Sequence, residues 1–264
     1  MNRLPPPAFE AGHAGGKSAS YAHKMPLSPS NALVAALTPE DRAVLMEAST
    51  PFDFAMGHVF CESGDEVCAV EFVDRGIISA VASLADGRTI ETFMVGREGC
   101  TQPMASDAVT RCYSRLVAQI GGSGRRIDAP RLRALVDDHP GIRDAMAAYA
   151  VRLMGELEQS VACNALHRAE QRFAKWLLRC HDRIESDQMF LTQEFLASML
   201  GSQRTTVNEA AQQLQRAGAL RYSRGKIVVL DRTALERASC ECYGVHRATQ
   251  DARVIHPRTL GQGR

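Results

Sequence analysis

Apolar and polar residues alternate with two different periods along this chain, and the change of period divides it. Thr38-Pro39-Glu40-Asp41 supplies a helix N-cap, a proline at the first helical position and two acids on the positive end of the dipole, with Leu45 and Met46 as the apolar side. From Phe52 to about Ile127 short β-branched or aromatic segments lie between recurring glycines. Ser79–Leu84 and Arg88–Phe93 flank Asp86-Gly87, which predicts a hairpin with a two-residue turn. Several such strands predict a small antiparallel roll or barrel. Residues 128–139 read as a short helix stopped by Pro140. Beyond it Ile142, Met146, Tyr149, Leu153, Leu157 and Val161 recur at three-or-four spacing over about five turns. That stripe suits a helix lying on its own domain or one strand of a two-stranded coiled coil, and its period does not choose between them. A further helix around 168–181 carries Trp176 as an expected core anchor.

Residues 192–215 hold two helices in quick succession. Thr192 is the expected cap of the first. Ala197 and Gly201 supply a small residue at a helix–helix contact and a glycine for a turn of positive φ, and Ser202 is the expected cap of the second. Val207, Ala210, Ala211 and Leu214 form one apolar face. Gln203, Arg204, Thr205, Thr206, Asn208, Glu209 and Gln212 fall on the opposite face or at the N-terminal end, where side chains can reach base edges and phosphates in a major groove. Gly218 predicts the C-cap. Residues 220–223 and 226–230 then read as a hairpin about Arg224-Gly225, a wing whose Arg224 and Lys226 suit phosphate contacts.

Composition narrows the classes further. The 264 residues are 45% hydrophobic and 23% charged, as in an ordinary globular protein, and no apolar run approaches the roughly 18 residues that cross a bilayer. No secretory signal opens the chain, so the expected compartment is the cytoplasm, without a membrane partner. Residues 1–30, rich in Pro, Gly, Ser and Ala, read as a disordered arm. The net charge of +1 conceals a local excess: 201–232 holds Arg204, Arg216, Arg221, Arg224, Lys226 and Arg232 against Glu209 and Asp231. The eight cysteines include no C-x-x-C pair, and a chain of this size needs no disulfide staples, so reduced, mostly buried thiols are expected. Cys240-Glu241-Cys242, with His246 nearby, offers three possible ligands for a metal or a redox switch, fewer than a closed zinc site needs. A reduced, solvated tail is the expectation, with no metal and no cofactor. His58, His139, His167 and His181 stand apart from any recognisable catalytic motif, so the chain is not read as an enzyme.

The run from Leu191 through Val207, followed by the wing and Leu230-Asp231-Arg232, resembles the Crp/Fnr family of bacterial transcription regulators. The likeness is most specific over 168–243 and weaker over 33–166. It implies an α+β fold with an N-terminal antiparallel β-roll of the cyclic-nucleotide-binding kind (31–140), a long dimerisation helix (141–166), a C-terminal winged helix-turn-helix (167–237) and a tail (238–264). It turns the stripe at 142–161 toward a dimer seam. The implied function is that of a sequence-specific regulator binding a pseudo-palindromic operator as a homodimer through a recognition helix at about 202–215. Double-stranded DNA and RNA polymerase are the implied partners, with an unidentified small-molecule effector. A β-roll module controlling a partner protein without DNA binding is the alternative, and the winged helix counts against it.

The chain also departs from that family. Members that bind cyclic AMP carry a cassette of Gly-Glu-Leu and, about ten residues later, Arg-Ser or Arg-Thr. Here the corresponding stretches are Gly99-Cys100-Thr101-Gln102 and Arg111-Cys112. Gly99, Thr101 and Arg111 are thus the candidate effector contacts, but the carboxylate that would read the ribose is gone and cyclic AMP is not the expected effector. The N-terminal cysteine cluster of iron–sulfur members is absent. Arg204 matches the cyclic-AMP branch, whereas Thr205 and Glu209 stand where its best-known members carry Glu and Arg, so their half-site does not transfer.

Overall fold

The computed structural model describes residues 31–103, 111–191 and 193–245. The predicted arm at 1–30 and His246 lie outside them. Helices α1 (Ala32–Ala35) and α2 (Pro39–Ala48) come first. The Thr38 hydroxyl accepts from the Asp41 N–H at 3.2 Å, as the capping pattern requires. Strands β1 (Thr50–Phe54), β2 (Val59–Cys61), β3 (Ala69–Ser83), β4 (Thr89–Val95) and β5 (Arg115–Asp128) form one antiparallel sheet in the order β1-β5-β3-β4, with β2 also on β5. β3 and β5 are long enough to curl, so Phe54, Val73, Ile78, Val95, Leu116 and Ala118 close over one another inside a roll. The hairpin at Asp86-Gly87 is present with one residue more than predicted. Gly87 N–H donates to Leu84 C=O and Leu84 N–H to Arg88 C=O, leaving the three residues 85–87 in the loop.

Helix α3 (Ala129–Asp138) leads into the 27-residue α4 (Pro140–Leu166). The predicted stripe is apolar as expected, but it faces its own roll. Ile142, Met146 and Tyr149 join Leu33, Leu45, Phe72 and Leu132 in one buried cluster, and Leu153 is buried too. Gly99 explains how closely α4 sits: a Cβ there would run into the Tyr149 ring. A second face, turned by about 130° at 100° per residue, is left uncovered. Val151, Met154 and Val161 are 73%, 63% and 71% exposed, and Ala147, Glu158 and Ala165 complete a four-three repeat with them. Val161, the last member of the predicted stripe, belongs to this face.

The cysteine expectation needs two corrections. Cys61 and Cys112 form a disulfide although 51 residues separate them, because pairing of β2 with β5 sets Cys61 opposite Leu116. Cys240 and Cys242 are buried rather than solvated.

The remaining elements form a second cluster: α5 (Ala169–Arg183), β6 (Gln188–Phe190), α6 (Gln193–Leu200), α7 (Arg204–Arg216), β7 (Leu220–Ser223), β8 (Lys226–Val229) and α8 (Arg232–Ala238). The strands run β6-β8-β7, all antiparallel. This cluster is continuous with the outer face of the roll through Ile77, Val81, Met94 and Val117. Trp176 is the anchor: its indole N–H donates to Glu91 Oε1 at 2.7 Å, while the Ser79 hydroxyl donates to Oε2 at 2.6 Å. Burial pushes the Glu91 carboxyl above its usual range, and the donors from Ser79 and Trp176 and the nearby Arg179 offset part of that cost. Arg183 and Glu98 pair at 2.8 Å beside it.

Candidate nucleic-acid interface

α6 and α7 meet through a turn in which Gly201 has φ +56°. An L-residue in that region costs about 1–2 kcal/mol. A Cβ on Gly201 would also lie 2.7 Å from Ile90 Cδ1 of β4, so this glycine serves both the turn and the contact with the roll. Gly201 N–H donates to Ser198 C=O and Ser202 N–H to Ala197 C=O, which closes the end of α6. Ser202 does not cap α7. Its hydroxyl accepts from Arg172 and reaches the Leu200 carbonyl, and Gln203 occupies the N-cap position without a side-chain capping bond.

α7 buries Val207, Ala210, Ala211 and Leu214 and turns Gln203, Arg204, Thr205, Glu209 and Gln212 to the surface, with Thr206 and Asn208 half-buried. Asn208 accepts from Gln193 Nε2 at 3.4 Å. The helix ends with Gly218 N–H on Gln215 C=O and Ala219 N–H on Leu214 C=O, a paired C-cap that releases the chain directly into β7. Arg224 and Gly225 form the tip of the β7–β8 hairpin, with Arg224 exposed. Lys226 lies half-buried with its ammonium 5.8 Å from the centre of the Phe190 ring. Phe190 belongs to β6, a three-residue strand too short for its alternation to be read.

The exposed end of α7 and the wing tip thus share one surface chemistry, that of amides, hydroxyls and cations. Arg216 on the last turn of α7 and Arg221 on β7 are exposed as well; the sequence counted both in its basic excess without placing either among the DNA contacts. Arg232, the last cation of the basic segment, is half-buried. It is held by Asp182 at 2.6 Å, by Glu236 and by Tyr243, so its charge is used inside the protein. Thr192 lies outside the described residues.

The three candidate effector contacts are not brought together. Gly99 backs onto Tyr149, and its carbonyl accepts from Asn31 at 2.7 Å. Thr101 is buried, donating to Glu71 Oε2 at 2.5 Å and accepting from the Glu71 N–H. Arg111 is exposed and donates to Gly64 C=O at 2.7 Å. A 380 Å³ cavity opens nearby, lined in part by Asp65, Glu66, Glu71, Gln102 and Arg126 and by the Cys61–Cys112 bridge. Among the described residues three carboxylates face one guanidinium there. Burial raises the Glu71 carboxyl, while Thr101 and Arg126 oppose the shift.

Residues 171–238 match the family model for a Crp-like helix-turn-helix domain. Over 214 residues the chain is 23% identical to a CRP-like cAMP-activated global transcriptional regulator of Mycobacterium tuberculosis, covering 75% of this chain and 92% of that one. Its fold is similar to that of FixK2 from Bradyrhizobium japonicum, with a TM-score of 0.62, 19% identity and coverage of 73% of this chain and 98% of that one. It is also similar to the c-di-GMP responsive global regulator CLP of Xanthomonas campestris, with a TM-score of 0.60, 18% identity and coverage of 73% and 99%. A β-roll, a long connecting helix and a helix-turn-helix with a wing define a regulator that acts on DNA. The chain is a DNA-binding transcriptional regulator with a Crp-like helix-turn-helix domain, similar along most of its length to regulators of the Crp/Fnr type. Regulators of this type are not enzymes. No helix among the described residues is long and apolar enough to cross a membrane.

Proposed function

We propose that the chain binds a pseudo-palindromic operator as a homodimer and regulates transcription there, with RNA polymerase as its partner at the promoter. The observation that carries this reading is the exposed N-terminal end of α7, with Arg204, Thr205, Asn208, Glu209 and Gln212 on one side and the Arg224 wing beside it. Arg204 reads a guanine edge and Glu209 accepts from a cytosine amine, while Arg224 and Lys226 neutralise phosphates. Residues 31–140 serve as the sensor domain, 141–166 as the dimerisation helix and 167–237 as the DNA-binding domain. Two-fold pairing runs along Ala147, Val151, Met154, Val161 and Ala165, whose four-three repeat is that of a coiled-coil seam. Selection of bound fragments from genomic DNA tests the reading. It is expected to enrich one inverted repeat with half-site centres a whole number of helical turns apart, about 34–36 Å per turn. Enrichment of no sequence over input would refute it.

Cyclic AMP is not the effector on this reading. Asp65, Glu66 and Glu71 outnumber Arg126 in the lining of the roll cavity, so a cyclic phosphate would meet a net negative field. Millimolar cyclic AMP is therefore expected to leave both melting temperature and operator affinity unchanged. A ligand of the native state at a hundred times its dissociation constant adds about 2.7 kcal/mol. A thermal shift of several degrees that Arg111→Ala abolishes would contradict the expectation.

A further inference from the structure

Four metal-ligating side chains that flank the second cluster in the chain, two before α5 and two after α8, meet at one point. Cys163 lies on the last turn of α4, His167 is the C-cap of that helix, and Cys240 and Cys242 follow α8. Their ligand atoms all lie within 4.8 Å of one another. We propose that Cys163, His167, Cys240 and Cys242 form a closed, tetrahedral Cys₃His zinc site that ties the end of α4 to the segment behind α8.

The spacing fits that ion. Bonds of about 2.3 Å to sulfur and 2.0–2.1 Å to nitrogen in a tetrahedron set S···S near ~3.8 Å and S···N near ~3.5 Å. Cys163 and Cys240 Sγ are 3.6 Å apart, and Cys242 Sγ is 3.5 Å from His167 Nδ1. The surroundings also fit. His167 Nε2 lies 3.2 Å from Glu241 Oε1, which fixes the tautomer that leaves Nδ1 turned to the sulfurs as a lone-pair donor. Gln159 Nε2 donates to Cys242 Sγ at 3.0 Å, as an amide does to a thiolate. Three thiolates around Zn²⁺ carry one net negative charge, and the buried Lys175, whose charge acts on Cys163, supplies the matching positive one. All three sulfurs are buried, so four protein ligands fill the shell and leave no open position for a substrate, the pattern of a structural rather than a catalytic site. Thiolate and imidazole donors in a tetrahedron select zinc over magnesium or calcium. Binding replaces each S–H bond by an S–Zn bond and releases the thiol protons to water.

The test uses the full chain, prepared anaerobically with a thiol-free reductant and with zinc in the medium. Metal analysis is expected to find one zinc per chain. Exchange for Co²⁺ should produce the thiolate charge-transfer and intense ligand-field absorption of a tetrahedral site. Cys163→Ser and Cys242→Ser should lose the metal, whereas Cys68→Ser, an exposed thiol on the roll, should keep it. Glu241→Gln should weaken zinc binding about 10–100-fold. Because the serine variants could fail by misfolding, His167→Cys provides the complement: it should retain one metal per chain and strengthen the cobalt charge-transfer band. The proposal is overturned if the folded, reduced wild-type chain binds neither zinc nor cobalt. A Cys163–Cys240 disulfide, or an iron chromophore at these residues, would overturn it as well. Each of these readouts is independent of DNA binding.

Discussion

Met154→Asp is expected to convert the dimer into monomers that still fold, and to lower operator affinity by about 10²–10⁴-fold, the avidity lost when two linked half-site contacts become one. Met154 is 63% exposed on α4 and occupies the middle of the Ala147–Ala165 repeat, so in a two-fold pair its side chain meets its own copy. A carboxylate buried there without a partner costs about 3–5 kcal/mol, enough to move a micromolar dimer into the millimolar range. The same change at Leu153 has a different consequence. Leu153 is buried within its own chain, so its replacement destabilises the fold rather than the pair. Sedimentation velocity, thermal melts and gel shifts on the two variants separate these outcomes. A Met154→Asp protein that sediments and binds like wild type would place the dimer seam elsewhere.

Arg204→Ala is expected to cost about 1–3 kcal/mol on the selected operator, roughly 5–150-fold in affinity, and much less on random DNA. Arg204 is the first residue of α7 and is exposed, at the end of the helix that the proposed binding mode brings into a major groove first. A guanidinium that reads a guanine edge loses two hydrogen bonds with one truncation, and the loss appears only where the guanine is present. Equal losses on operator and random duplex, with the salt dependence reduced by about one charge, would make Arg204 a phosphate contact instead.

The parts of this architecture written in local signals were legible in the sequence. The Thr38 cap, the hairpin about Gly87, the positive-φ turn at Gly201, the apolar face of α7 and the wing at Arg224-Gly225 each depend on a few adjacent residues. What escaped depends on which distant segment covers which face. The stripe from Ile142 to Leu153 has the period of a dimer seam, but only the position of the roll decides that it is used internally and that Val151 and Met154 are left outside. Cys61 and Cys112 are neighbours only once β2 has paired with β5. His167 stood alone among the histidines, and Cys240-Glu241-Cys242 lacked a fourth ligand. Closing the chain of the second cluster brings them together, with Cys163 as the remaining donor. Arg232 counted as a surface cation until Asp182 and Tyr243 were found around it.

Competition binding tests the central claim most directly: the selected operator, a fragment with one half-site scrambled and a fully scrambled fragment of the same length are titrated at one fixed salt concentration. The account predicts an intact-operator affinity about 10³–10⁷ times that for the scrambled duplex. The half-scrambled fragment should fall in between, and Met154→Asp should no longer distinguish it from the intact site. Equal affinity for all three fragments, or no binding to any, would contradict the assignment of α7 and the wing as a sequence-reading surface.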